Sequence, residues 1–212
     1  MKLYSFPPSP NVRKVSAVIS HLGIADVDMQ LVNLAKGEQR LSDFLSINPM
    51  GRLPALVDDD GFVLWESNAI CQFLCERQGA SAFYPNDART RADIARWLFW
   101  DASSWAQATE ILTHENVRKP MMQIGQPDAE RILEGEERFR PLAKLLNDQL
   151  ADRPFLAGNH VTLADFVVAG SATYLERGQF PVKGLPNLQA WWARLHEIPA
   201  WKDTVPSSQL PS

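Results

Sequence analysis

The stretch Lys2–Gly23, KLYSFPPSPNVRKVSAVISHLG, predicts a strand that passes directly into a helix. Lys2–Phe6 is short and apolar, and three prolines and Ser9 follow it almost at once. Apolar residues then recur at helical spacing before Gly23, a typical helix-ending residue: Val12, Val15, Val18, Ile19 and Leu22. Residues 27–34 alternate apolar and polar, which predicts a second strand. Such a unit implies two parallel strands joined by a helical crossover.

The next segments predict a mixed sheet with helices on its faces. A short helix-like LSDFLSI precedes two strands, ALVDD and FVLWE, which meet at an Asp-Asp-Gly hairpin turn. Ser67 then opens a helix, for which we expect Ala69, Ile70, Phe73 and Leu74 on the inner face. The order is β-α-β followed by α-β-β-α.

After Gln78 the pattern changes to helices alone. Residues 79–88, GASAFYPNDA, are rich in turn formers and predict a linker. Residues 89–118 predict one long helix or two joined ones, and further helices are expected over 128–151, from Thr162, and over 188–196. We therefore predict an α/β domain over 1–78, a linker over 79–88 and an all-helical domain over 89–212.

The segment VTLADF in the helical region predicts a strong helix start. Thr162 is followed three residues later by Asp165, a capping-box spacing, and Val161 and Phe166 are placed as a hydrophobic staple. This motif serves folding, and we do not expect it to be catalytic.

Composition excludes several classes of function. The net charge is −4 without a Lys/Arg stripe, which argues against nucleic acid. No apolar run reaches membrane length, and the N-terminus lacks a signal-peptide core, so we expect a soluble cytoplasmic protein. Cys71 and Cys75 lie four apart and are expected to pack as small apolar side chains. The four scattered histidines predict no metal site.

Four segments in this order resemble the cytosolic glutathione transferases, in particular serine-type members with a Ser-Pro-Asn motif. They are SPNVRKV, GRLPAL, WESNAI and VTLADF, and they span nearly the whole chain. The resemblance implies a thioredoxin-like first domain that binds glutathione and a helical-bundle domain that helps hold a small electrophilic, mostly apolar co-substrate. It also implies a role in detoxification and a homodimer.

Ser9 has two interpretations. It precedes Pro10, a favoured first helical residue, so Ser9 fits a helix N-cap worth about 1 kcal/mol. By resemblance, its hydroxyl instead donates to the sulfur of glutathione as the catalytic serine. Lowering a thiol pKa by two units from about 8.5 needs roughly 2.7 kcal/mol. One charge-assisted hydrogen bond supplies about 1.5–3 kcal/mol, and the helix dipole adds a fraction more.

The same resemblance assigns the other site residues. Asn11 can also reach the sulfur, a variant associated with glutathione-dependent disulfide reduction. A cis peptide at Pro54 would turn the backbone of Leu53 toward the glutathione backbone. Ser67 would hold the γ-glutamyl carboxylate at a helix start and Glu66 the α-amino group.

Lys36 could pair with the glycyl carboxylate, although a solvated loop lysine is nearly as plausible from the sequence. Arg52 fits a surface residue better than a ligand. The aromatic cluster Trp97, Phe99, Trp100 and Trp105 fits a core or a dimer interface better than a substrate wall.

Three functions remain open from the sequence. The first is a glutathione transferase that activates the thiol for attack on the electrophile. The second is a glutathione-dependent disulfide reductase, suggested by Asn11. The third is a non-catalytic binding or scaffold protein that retains the fold, against which the co-occurrence of Ser9, Pro54, Glu66 and Ser67 stands.

Overall fold

A four-stranded mixed sheet forms the first part of the chain in the computed structural model, which describes residues 1–207. Its strands are β1 (Lys2–Ser5), β2 (Asp28–Leu31), β3 (Ala55–Val57) and β4 (Val63–Trp65). The spatial order is β2-β1-β3-β4, with β1 and β2 parallel and the other two pairs antiparallel. This is the thioredoxin-like arrangement that the sequence predicted.

Helices cover both faces of this sheet. The helix α1 (Pro10–Leu22) packs against α3 (Ser67–Gln78), while the short α2 (Ser42–Leu45) lies on the opposite face. Successive strand residues point to opposite faces, so Leu3 enters the main core whereas the ring of Tyr4 contacts Phe44 of α2 at 5.9 Å. The ends of α1 are as expected, because Ser9 caps its start and Gly23 ends it at φ 66°.

The second strand is shorter than residues 27–34. Asn33 explains its early end, because the Asn33 side chain accepts hydrogen bonds from the amides of Ala35 and Lys36. Those bonds close a 3-10 turn over Leu34–Lys36, and a second such turn follows over Glu38–Arg40. Side-chain capping thus competes with the strand ladder at this point.

The buried face of α3 differs in part from the prediction. Ile70 and Leu74 are buried as expected, but Ala69 and Phe73 are only half-buried. Cys71 and Cys75 take those places in the core because α3 contacts α8 and α1 as well as the sheet. The expectation that both cysteines pack as free, buried side chains is confirmed.

The second part of the described chain is helical, as predicted. The helices α4 (Ala88–Trp100), α5 (Ala106–Thr113) and α6 (Lys119–Met122) follow one another without a break, because π-helical segments over Asp101–Trp105 and His114–Arg118 join them. The remaining helices are α7 (Ala129–Gln149), α8 (Leu163–Ser171), α9 (Pro186–His196) and α10 (Pro199–Lys202).

The capping box of α8 is confirmed. Asp165 is fully buried, and its carboxylate accepts from the amides of Leu156 and Thr162, the Thr162 hydroxyl and the indole of Trp191. This carboxylate ties the start of α8 to the preceding loop and to α9.

One hydrophobic core runs through both parts of the molecule. It begins at Leu3 and Val15, passes Leu74, and continues through Trp97 to Phe166. The predicted linker contributes to it, since Phe83 and Tyr84 are buried. The boundaries at 78 and 88 stay a prediction, and the predicted end at 212 lies outside the described residues.

Two kinds of feature are absent from residues 1–207. None of the helices there is both long and apolar enough to cross a membrane. In the same residues, His, Cys, Asp and Glu side chains do not gather in groups of three or more that would hold a metal ion.

Candidate functional site

A cleft of about 820 Å³ lies between the sheet domain and the helical domain. The sheet domain contributes Ser9 and Asn11 from α1, Leu53 before β3, and Glu66 and Ser67 at the start of α3. Five of the seven site residues expected from the sequence therefore share one cavity. Pro54 is buried beside it, and Lys36 is exposed and is not among the lining residues.

Ser9 caps α1 and also lines the cleft. Its backbone is extended, at φ −78° and ψ 126°, and its Oγ accepts from the Val12 amide at 3.4 Å. A hydroxyl has one proton to donate besides its lone pairs, so accepting at the helix end leaves that proton free for a ligand. The cap and the ligand role are therefore compatible.

Asn11 faces the start of α3. Its Oδ1 lies 3.4 Å from the Ser67 hydroxyl, which lies equally far from Oδ1 of Asn68. The hydroxyl has one proton, so it can donate to only one of the two amides at a time. This exposed asparagine thus connects the starts of two helices across the cleft floor.

The segment before β3 has a free backbone edge. The Leu53–Pro54 peptide is cis, and both side chains are buried. Within residues 1–207, the backbone N–H and C=O of Leu53 make no hydrogen bond. Two unpaired backbone groups beside β3 could pair with the backbone of a peptide ligand.

Glu66 and Ser67 form the entrance to α3. Glu66 has φ 73° and ψ 112°, a left-handed conformation that is uncommon for a residue other than glycine. Ser67 is the first helical residue and is nearly buried. The first amides of this twelve-residue helix have no intrahelical partner, which makes the helix start a suitable site for a carboxylate.

A buried ion pair under the cleft was not predicted from the sequence. Lys14 Nζ on α1 lies 2.6 Å from Asp101 Oδ2, and the two side chains are only 2% and 1% exposed. The Asn68 amide donates to Asp101 at 3.2 Å and to the Leu98 carbonyl at 3.0 Å. Gly170 leaves room for the lysine, because a Cβ there would lie 2.1 Å from Lys14 Cγ.

The segment around Lys36 contributes other residues to the cleft lining. Gln39 and Arg40, in the second 3-10 turn, line the cleft, as does the exposed Arg52. Gln39 Oε1 is buried and has no hydrogen-bond partner within residues 1–207. Sequence analysis missed both Gln39 and Arg40, because only the turn after Gly37 directs this segment toward the cavity.

The helical domain gives the cleft its apolar wall. Val117, Met121, Met122 and Ile124 line this side, together with the ring of Tyr174. Glu110 and Arg118 also line it, and they pair with each other through two hydrogen bonds. The cluster Trp97, Phe99, Trp100 and Trp105 does not line the cleft: Trp97 and Trp105 are buried, and Phe99 is 75% exposed.

The two cysteines do not contribute a reactive thiol to this site. Burial raises the pKa of Cys75 to about 12, and burial raises the pKa of Cys71 further. Both thiols are therefore protonated at neutral pH.

Fold and site together define a two-domain protein of thioredoxin-like type, whose binding cleft lies between a sheet domain and a helical domain. Sequence profiles agree with this class. The profile described as glutathione S-transferase, N-terminal domain, matches residues 1–76, and the profile of the C-terminal domain matches residues 111–199.

Individual relatives cover nearly the entire chain. Glutathione S-transferase 3 of Zea mays is 32% identical over 100% of this chain and 96% of its own. Glutathione S-transferase D7 of Drosophila melanogaster is 30% identical over 99% of this chain and 90% of its own. The chain belongs to the glutathione transferase family.

Solved structures give the same result. A theta class glutathione S-transferase from Xanthomonas axonopodis pv. citri, solved with glutathione bound, is 30% identical, with a TM-score of 0.86 over 97% of both chains. Glutathione transferase F2 from Populus trichocarpa is 27% identical, with a TM-score of 0.87 over 96% of both chains.

Proposed function

We propose that this protein catalyses attack of the glutathione thiol on a small, mostly apolar electrophile, with glutathione as co-substrate. The family carries the reaction class, and one observation supports it at residue level: the Ser9 hydroxyl stands at the start of α1, inside the cleft. In the reaction the thiol loses its proton, sulfur bonds to the electrophilic atom, and a leaving group departs where one is present.

Ser9 would stabilise the thiolate without forming a covalent bond to it. The Ser9 proton is free to point at sulfur, and the unpaired amides of α1 add positive potential at the same place. A bond to a charged group is worth about 1.5–3 kcal/mol, and 1.36 kcal/mol corresponds to one pKa unit. These two contributions together account for a bound thiol that ionises near neutral pH.

The remaining contacts would hold the tripeptide in register. Leu53 pairs with its backbone, the Ser67 hydroxyl and the first amides of α3 take the γ-glutamyl carboxylate, and Glu66 takes the α-amino group. For the glycyl carboxylate, Arg40 and Gln39 are better located than Lys36, because they line the cleft. Once the Ser67 proton is donated to the carboxylate, Asn11 Oδ1, which lies 3.4 Å from the Ser67 hydroxyl, would be free of that contact and within reach of the sulfur.

The other two functions are not favoured by the comparisons, since the matched curated relatives are named glutathione S-transferases. A reductase that uses a protein thiol also lacks support, because Cys71 and Cys75 are buried and protonated. Assays with a chlorinated aromatic and with a mixed disulfide separate conjugation from reduction.

A homodimer and a cytoplasmic location belong to the same proposal and rest on the family. Support for the dimer comes from exposed apolar side chains on and beside the edge strand β4, namely Phe62, Val63 and Trp65. Light scattering during gel filtration measures the mass, and a monomer at micromolar concentration would contradict the dimer.

The decisive experiment titrates the thiolate absorbance of bound glutathione against pH. In wild type we expect the thiol pKa to lie about two units below its free value, and in Ser9→Ala to rise by about one to two units. The matched control is Ser5→Ala, because the Ser5 hydroxyl bonds the Gln30 carbonyl and lies outside the cleft lining. If glutathione bound to the wild-type protein has the same thiol pKa as free glutathione, the proposal is refuted.

A further inference from the structure

Tyr174 reaches across the two domains to the loop that carries Ser9. It follows α8 in the helical domain, and its hydroxyl donates to the backbone carbonyl of Pro8 at 2.7 Å. The side chain is buried, at 7% exposure, and its ring lines the cleft. Pro8 directly precedes Ser9, so a residue 166 positions away contacts the peptide unit that bears the proposed catalytic hydroxyl.

The loop between β1 and α1 has few other restraints. Prolines at positions 7, 8 and 10 have no amide to donate, so the backbone can close on itself only through the remaining residues. One such bond joins the Ser9 amide to the Phe6 carbonyl at 2.8 Å. The other two fix Ser9 to the first turn of α1: the Val12 amide donates to Ser9 Oγ at 3.4 Å, and the Arg13 amide donates to the Ser9 carbonyl at 3.0 Å. The Tyr174 bond comes from outside the loop and holds the carbonyl of the same peptide unit whose amide belongs to Ser9.

We propose that Tyr174 is a positioning residue for Ser9: its hydrogen bond to the Pro8 carbonyl fixes the Pro8–Ser9 peptide and thereby the direction of the Ser9 hydroxyl. This inference rests on the function proposed above. Tyr174 acts through the loop and not on the sulfur, because its only proton is used at Pro8.

The surroundings keep this tyrosine a donor. Burial raises the pKa of Tyr174, and the nearby Arg177, Arg118 and Arg13 offset only part of that rise. The phenol is therefore protonated at neutral pH. The Arg177 guanidinium lies 5.9 Å from the centre of the tyrosine ring, so the ring keeps its packing when the hydroxyl alone is removed.

The test compares two Tyr→Phe variants. Tyr174→Phe removes the bond to Pro8 and keeps the ring in the cleft. Tyr84→Phe is the matched control, since Tyr84 is also buried, at 4% exposure, and its hydroxyl accepts from the Gln72 amide at 3.3 Å outside the cleft lining. Each variant loses one hydroxyl with one hydrogen bond, so a merely structural role predicts equal behaviour.

We expect the catalytic parameters to separate the two variants. In Tyr174→Phe, kcat should fall about fivefold to tenfold while KM for glutathione changes less than about twofold, because binding is retained and the sulfur contact is misdirected. The pKa of the bound thiol should rise in the same variant. Tyr84→Phe should match wild type in all three quantities.

Amide hydrogen exchange gives a second, direct readout of the loop. The Ser9 amide, which donates to Phe6, should exchange faster in Tyr174→Phe and at the wild-type rate in Tyr84→Phe. If Tyr174→Phe equals Tyr84→Phe in exchange, kcat and thiol pKa, the positioning role is overturned. The proposed function is tested separately, by whether Ser9→Ala shifts the pKa of the bound thiol.

Discussion

Replacing Lys14 by methionine should destabilise the protein strongly. The Lys14 ammonium lies 2.6 Å from Asp101 Oδ2, with both side chains almost fully buried. Asp101 Oδ1 has no hydrogen-bond partner within residues 1–207, so without the lysine the carboxylate keeps only the Asn68 amide at 3.2 Å. Removing one partner of a buried pair costs about 3–5 kcal/mol, because the other charge remains in the interior.

A surface pair provides the comparison. On α7, Lys144 Nζ lies 2.5 Å from Asp148 Oδ2, and the two side chains are 70% and 56% exposed. Lys144→Met should cost at most about 0.5 kcal/mol, because solvent screens an exposed pair of this kind. The two substitutions are chemically identical, so their difference measures the effect of burial.

The assay is urea unfolding followed by tryptophan fluorescence. Seven tryptophans report on the chain, and the core that joins both domains favours one transition. Adding Asp101→Asn to Lys14→Met removes the stranded charge and should recover part of the loss. If the free energies of unfolding of Lys14→Met and Lys144→Met lie within about 0.5 kcal/mol of each other, burial of the pair does not determine its contribution to stability.

Two further changes test the packing of the helical domain and its contact with α1. Asp165→Asn should destabilise the protein by about 2–4 kcal/mol in the same urea assay, because an amide cannot accept from all four donors that surround the carboxylate. A nearly unchanged midpoint would contradict the capping role. Burial against the ring of Phe83 lowers the pKa of His21, so the unfolded chain binds the proton more tightly. The stability that neutral His21 contributes should therefore be fully present above about pH 6.5 and should be lost as the pH falls through the lowered pKa. His21→Phe should reduce the loss of stability between pH 7.5 and 5.5 as measured by thermal unfolding, and an unchanged loss would contradict this role of His21.

Local signals were enough to predict much of the fold. The helix α1 depends on neighbouring residues, with Ser9 and Pro10 at its start and Gly23 at its end, and the capping box of α8 is a four-residue pattern. Such features are set by short-range sterics and hydrogen bonds, which sequence spacing reports directly. The ligand roles of Ser9 and Ser67 came from the resemblance to the glutathione transferases, whereas the local pattern by itself indicates only that each residue stands at a helix start.

The features that escaped prediction depend on long-range packing. Lys14 and Asp101 are 87 residues apart, and neither has a neighbour in sequence that signals a partner. The Tyr174 bond to Pro8 likewise exists only when the two domains are assembled. The π-helical segments that place Asp101 and Arg118 at the cleft have no sequence pattern of their own, since each differs from an α-helix only in hydrogen bonds that span one more residue.

The way α8 lies against α1 limits how such a protein can diversify. Gly170 and Lys14 pack together without space for another carbon, so the contact between α8 and α1 tolerates little variation at either residue. Met121, Met122 and Ile124 sit at the far rim and carry no comparable restraint. We therefore expect substitutions at the rim to reshape the co-substrate side of the cleft at a lower cost in stability than substitutions at the contact between α8 and α1.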